Sequence, residues 1–325
     1  MSKSATSKTI AVVGNGLIGH GVAQVFAMAG HNVRLIGRSE SSLARARERI
    51  RDSLGQFAAH GLIKEAEIPA IMGRVAAGTA LDAASAAELV CEAVSYDLGL
   101  IGEIVGELDA LCGAAVPLCS CSGAPPSKYV GQARRHPERV VATHFWYPSQ
   151  LIPLVEVCPG SLAAPAITDI VMGVLRAAGK EPVLIEREIT GLIGNRLQFA
   201  MLREAWALWA DGVASAEAID TVVRNSFGRR LGITGPLESA DLAGLDTMYA
   251  YAETLLPDLD TSAQPAAAIA KLVNEGARGL PSGRGVYDWS RRDGAGLLRA
   301  RMDELMRWLA ADALTRARPA SRSLS

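Results

Sequence analysis

The chain has 325 residues, enough for two domains at a prior of about 150 residues each, and for a core that can carry a catalytic cleft. Its 33 Lys+Arg against 34 Asp+Glu leave a formal charge of -1, so there is no basic excess of the kind that displaces counterions from a nucleic-acid backbone. A composition of 49% hydrophobic and 21% charged residues is that of a packed globular chain, not a disordered one.

Five cysteines cannot all pair within one chain, and their spacing matches no secreted scaffold, which points to a reducing, cytoplasmic setting. Cys119 and Cys121 have no His or second Cys pair at a zinc-ligand interval and read as strand thiols, so no metal is expected. The apolar run 10–30 imitates a signal-peptide core, but it holds five glycines, Asn15 and His20. No later stretch approaches the ~18 apolar residues of a membrane span.

In chain order, β-rich runs at 9–13, 32–36, 74–76, 89–93, 116–120, 140–144, 154–157 and 182–185 alternate with Ala/Leu-rich helical stretches. That alternation predicts a doubly wound α/β sheet covered by helices. The long helix, 41–59, has Ser39 or Ser41 as a cap. After 185 the strand signal ends, and helices are predicted at 192–210, 215–226, 237–254, 263–275 and 297–314. The chain therefore divides into an α/β domain, 1–188, and an all-helical domain, 189–325, with 319–325 read as a disordered tail.

The first strand runs into Gly14, Asn15, Gly16, Leu17, Ile18 and Gly19 and then into a helix. Strand, GxGxxG and helix together are the dinucleotide-binding context of a Rossmann-type domain. Gly14 permits the tight turn, Gly16 lets the backbone approach a pyrophosphate, and Gly19 allows close packing at the helix start. At the end of the second strand, Gly37 stands where an acid would hold the adenosine ribose, followed by Arg38 and Ser39. A guanidinium and a hydroxyl suit a 2′-phosphate, which favours NADP(H) over NAD(H).

His144 ends the strand 140–144, and Glu156 lies in the next strand. These two residues, with Pro148, Pro153 and the run Cys91-Glu92-Ala93-Val94, resemble the 3-hydroxyacyl-CoA dehydrogenase superfamily. The likeness continues through Gly191 to Leu197, Gly235-Pro236-Leu237 and Asp241 to Asp246, and so spans nearly the whole chain. Within that superfamily the chain is similar to the branch acting on small hydroxy acids, which includes L-gulonate 3-dehydrogenase with lambda-crystallin, carnitine dehydrogenase and a pyridine-carboxylate dehydrogenase.

The resemblance implies hydride transfer between an alcohol carbon and a nicotinamide. His144 would act as base and Glu156 would orient it, while Ser122 and Asn195 would hydrogen-bond the substrate oxygen. It also places Glu92 near the nicotinamide. Tyr147 stands where the family usually has Asn and is a candidate substrate contact, and no basic cluster marks a coenzyme A pocket: the region 53–64 offers only Lys64. A free L-3-hydroxy acid is therefore the expected substrate, with Arg196, Arg229 or Arg230 as carboxylate partner. Two other readings stand beside it: a CoA thioester as substrate, and a non-catalytic, crystallin-like cofactor-binding protein. A homodimer through the helical domain is expected, with Trp206, Trp209 and Trp308 as anchors.

Overall fold

The computed structural model of the chain describes residues 7–317; the proposed tail at 319–325 lies outside them. All eight predicted strands form, within one to three residues at each end, as a single sheet: β1 (Thr9–Val13), β2 (Asn32–Ile36), β3 (Val75–Gly78), β4 (Leu89–Glu92), β5 (Leu118–Ser120), β6 (Val140–Phe145), β7 (Leu154–Cys158) and β8 (Glu181–Leu184). Their order is β3-β2-β1-β4-β5-β6-β7-β8, so the strand order reverses between β1 and β4. In such sheets the crevice at that reversal, beyond the carboxyl ends of the strands, is where nucleotides bind.

The central strand β1 is apolar from Ile10 to Val13 because both of its faces are covered. In β1, Ile10 and Val12 bury on the face that packs with Val22 and Phe26 of α1 (Gly19–Met28) and Leu43 and Ile50 of α2 (Glu40–Ala59). Ala11 and Val13 bury on the opposite face, with Ile101 and Val105. Ser39 caps α2, its Oγ accepting from the Ser42 backbone N–H at 3.3 Å. The short α3 (Ile68–Gly73) precedes β3. Asp97 caps α4 (Leu98–Leu111), its carboxylate accepting from the N–H groups of Gly99 and Leu100. Helix α5 (Pro165–Ala177) lies between β7 and β8.

One pairing departs from the parallel sheet that the alternation predicts. Strands β6 and β7 are antiparallel, joined by a loop with no crossover helix, and β8 follows β7 in parallel. An eight-residue connection is too short for the crossover that a parallel pair needs.

The helical elements are α6 (Leu192–Ala210), α7 (Ala216–Asn225), α8 (Phe227–Arg230), α9 (Pro236–Ala243), α10 (Leu245–Leu255), α11 (Ala267–Asn274) and α12 (Gly294–Ala317). The continuous helix expected over 237–254 is broken at Gly244, whose φ of +94° no right-handed helix tolerates.

Two compact units result: residues up to Ile193 together with those from Ala300, and Gly194–Arg299. The boundary differs from the expected 188/189 division, because most of the last helix does not belong to the helical unit. Instead Met306, 1% exposed, is buried with Phe57 and Leu151 of the first unit. Within Gly194–Arg299, Tyr287 Oη donates to Asp220 Oδ2 at 2.7 Å, and the Arg292 guanidinium lies 3.9 Å from the Tyr287 ring centroid. Trp206, Trp209 and Tyr287 line a small cavity of about 200 Å³.

Candidate active site

The turn after β1 is built around absent side chains. Gly14 has φ +107°, and a Cβ there would collide with the carbonyl of Ala93. A Cβ on Gly19 would collide with the Gly14 carbonyl, so the helix starts pressed against the turn itself. Gly16 has open space around it. No side chain caps the N-terminus of α1, leaving first-turn N–H groups for an anion.

Other residues brace this turn. Arg49 Nη2 donates to the Asn15 carbonyl at 2.7 Å, and Asn15 Nδ2 donates to Ser42 Oγ at 2.9 Å. His20 Nδ1 donates to the Gly16 carbonyl at 2.7 Å. Burial holds the His20 imidazole below its usual range despite that bond, so the ring is neutral at pH 7. The turn opens onto a cleft of about 710 Å³ that runs from Gly37 and Arg38 past Gly14 to Ile18 and on to Ser122 and His144. Shape and donors fit a dinucleotide.

At the end of β2, Gly37 packs against two side chains: a Cβ would lie 2.8 Å from Leu43 Cδ2 and 2.9 Å from Asn15 Cγ, so these side-chain ends would have to shift to admit one. Arg38 lines the cleft and is exposed. Ser39, expected at the cofactor, is not part of the cleft wall; its hydroxyl is engaged as the α2 cap.

Glu92, also expected at the cofactor, is 2% exposed and does not line the cleft. As the last residue of β4 it pairs with Val13 on one side and Ser120 on the other, and its carboxyl turns inward. There it accepts from the Val94 N–H and from Ser120 Oγ, both at 2.6 Å. Burial pushes its pKa up, against the opposing pull of those two bonds. Ser120 Oγ in turn lies 3.0 Å from Ser122 Oγ, so the buried acid is linked to a hydroxyl on the cleft wall.

The meeting of His144 and Glu156 follows from strand register. In the antiparallel β6–β7 pair they are directly opposite, which holds the side chains of a cross-strand pair in contact. His144 Nδ1 donates to Glu156 Oε2 at 2.8 Å, with Glu156 2% exposed and His144 partly open on the cleft wall. Two further donors reach the same carboxylate. Trp146 Nε1 donates to Oε2 at 3.1 Å, and the Ile193 backbone N–H donates to Oε1 at 2.9 Å. The preceding residue, Leu192, is fully buried with φ +51°.

Tyr147 is 59% exposed and does not line the cleft. Asn195 and Arg196 lie near the start of α6, Asn195 half-buried and Arg196 exposed. Arg229 and Arg230 end the short α8, both exposed. Sequence reading missed Trp146, Arg49 and the inward turn of Glu92. Nothing in the residue pattern marks them, since each depends on what lies across a strand or a helix.

Comparison with known proteins agrees with this architecture. The NAD binding domain of 3-hydroxyacyl-CoA dehydrogenase matches residues 9–189, and the C-terminal domain of 3-hydroxyacyl-CoA dehydrogenase matches residues 191–289. The chain belongs to the 3-hydroxyacyl-CoA dehydrogenase family. Within this family it is 31% identical over 286 residues to a probable 3-hydroxybutyryl-CoA dehydrogenase of Bacillus subtilis, covering 88% of this chain and 98% of that one. It is 29% identical over 287 residues to 5-formyl-3-hydroxy-2-methylpyridine 4-carboxylate 5-dehydrogenase of Mesorhizobium japonicum, covering 86% and 90%. A crystal structure of an enzyme of that activity, described as an NAD+ dependent dismutase, superposes with a TM-score of 0.86 at 27% identity, over 97% of this chain and all of that one. Among the described residues, no helix is long and apolar enough to cross a membrane.

Proposed function

We propose that this member of the family is an NAD(P)-dependent oxidoreductase interconverting an L-3-hydroxy acid, or a related alcohol, with its 3-oxo form. The observation that carries this reading is the His144–Glu156 pair, 2.8 Å apart, on the wall of the cleft that the glycine turn opens. When bound, the nicotinamide supplies the acceptor for the hydride leaving the carbinol carbon. His144 Nε2 takes the hydroxyl proton, so hydride and proton together oxidise the alcohol to a carbonyl; in reduction His144 returns the proton. Glu156 keeps the other ring proton on Nδ1, leaves the basic lone pair on Nε2 and balances the imidazolium that forms. Ser122 and Asn195 are assigned as donors to the substrate oxygen.

The cofactor assigned is NADP(H) in preference to NAD(H). Its support is the end of β2, where Gly37 stands in place of an acid and Arg38 lines the cleft beside it. The substrate assigned is a free acid, with Arg196, Arg229 or Arg230 as its partner. Likeness along nearly the whole chain to an enzyme named for a pyridine carboxylate supports this. We also assign a homodimer through the helical region. Among the described residues of Gly194–Arg299 the only buried hydrophobic side chain is that of Ala277, whereas Ile233 is 87% and Leu237 82% exposed, more apolar surface than a soluble monomer usually shows. Five free thiols suit a reducing, cytoplasmic compartment.

The test is turnover of L-3-hydroxybutyrate, acetoacetate and acetoacetyl-CoA with each nicotinamide cofactor, by wild type and His144→Ala. Activity on free acids that His144→Ala abolishes is expected. Acetoacetyl-CoA turned over far faster than acetoacetate would establish the thioester reading instead. Equal activity of both proteins would remove His144 as the base, and no activity from either would leave a cofactor-binding protein without this chemistry.

A further inference from the structure

The Glu156 carboxylate is buried, and each of its oxygens already has a donor from outside the catalytic pair. Trp146 Nε1 reaches Oε2, the same oxygen that His144 Nδ1 uses, at 3.1 Å, and the Ile193 N–H reaches Oε1 at 2.9 Å. The indole ring also stands beside the imidazole, centroids 5.4 Å apart and planes tilted by 51°. Trp146 is half-buried and takes no part in the cleft wall. An indole offers one donor and no acceptor, so this contact can only draw on the carboxylate.

We propose that Trp146 is a positioning residue that sets the basicity and the ring orientation of His144 through Glu156. The proposal rests on the function assigned above. Sharing Oε2 between two donors divides the carboxylate's pull. With the indole N–H present, less of the carboxylate's negative charge bears on Nδ1–H, so removing that N–H would strengthen the carboxylate's hold on the imidazolium. The ring wall limits rotation of the imidazole about its strand, keeping Nε2 toward the cleft. A backbone N–H cannot be retuned by a side-chain change; the indole is the adjustable donor of the two.

The experiment compares wild type with Trp146→Phe, which keeps an aromatic wall and removes the N–H. The rate probe is oxidation of L-3-hydroxybutyrate, or of 3-hydroxybutyryl-CoA where that is turned over faster, followed from pH 5 to 10. The acid limb of kcat/KM is expected to move up by about 0.5–1 pH unit and kcat to fall about 3- to 10-fold. KM for the cofactor and the melting temperature should stay near wild type. A second readout needs no turnover: the indole N–H resonance of Trp146, assigned by its loss in Trp146→Phe, should lie downfield and move upfield in Glu156→Gln. A Trp146→Phe pH profile and kcat matching wild type would overturn the positioning role, as would an indole resonance that ignores Glu156→Gln. Failure of the assigned function is distinguishable, because it appears as His144→Ala retaining full activity whatever the indole does.

Discussion

The two ends of the cleft are built to different standards. At the β6–β7 end, His144 and Glu156 are opposed by sheet register, and the carboxylate has donors from His144, Trp146 and Ile193. At the β2 end, a glycine packed against Leu43 and Asn15 is followed by one exposed arginine. Under the proposed function, placement of the proton is fixed by backbone pairing, whereas discrimination between two cofactors would rest on a single exposed cation. Substitutions at the first end should therefore cost orders of magnitude in rate, and at the second only a change of preference.

The strongest test of that contrast is His144→Ala, expected to lower kcat by about 10²–10⁴ with cofactor affinity retained, the contribution of a general base; steady-state kinetics with cofactor titration checks it. Glu156→Gln should lower kcat by a comparable or smaller factor, about 10²–10⁴, while the melting temperature shows whether the β6–β7 pairing survives. A loss confined to KM would break the comparison, because it would make the pair a binding element.

At the other end, Arg38→Ala should reduce kcat/KM with NADP+ by about tenfold, the effect of one charge-assisted hydrogen bond, and leave the NAD+ value nearly unchanged. An unaltered ratio of the two would remove the 2′-phosphate assignment. The smallest effect belongs behind the cleft, at Glu92. Its carboxyl pKa is raised in the folded chain by burial, so the native state binds a proton that the unfolded state releases near pH 4.3. The sign follows: stability falls as pH rises from the unfolded value toward the folded one. Glu92→Gln should therefore melt progressively higher relative to wild type as pH is raised through that window, by an amount that thermal denaturation at several pH values will read. A difference independent of pH would mean that Glu92 is ionised in place.

Much of the scaffold was legible. Continuous apolar runs such as Ile10 to Val13 announce strands buried on both faces, and glycine spacing after one of them announces the cofactor turn. Ser39 was read both as a possible cap and as a cofactor contact; the cap is what its hydroxyl makes. Glu92 and Tyr147 were read toward the cleft, and the structure turns one inward and leaves the other off the cleft wall. The break at Gly244 is hidden inside an apolar periodicity, since periodicity records which residues recur and not which φ a glycine adopts.

Residue order by itself determined the strands, the glycine turn and the types of group available for proton transfer, because burial pattern and backbone sterics act over a few neighbours. Only the tertiary structure decided that β7 reverses against β6, which brings His144 opposite Glu156, and that Trp146 reaches the same carboxylate. It alone placed Met306 against Phe57 and Leu151. Those contacts depend on which surfaces close on each other across tens to hundreds of residues, and no local rule of propensity or spacing carries that information.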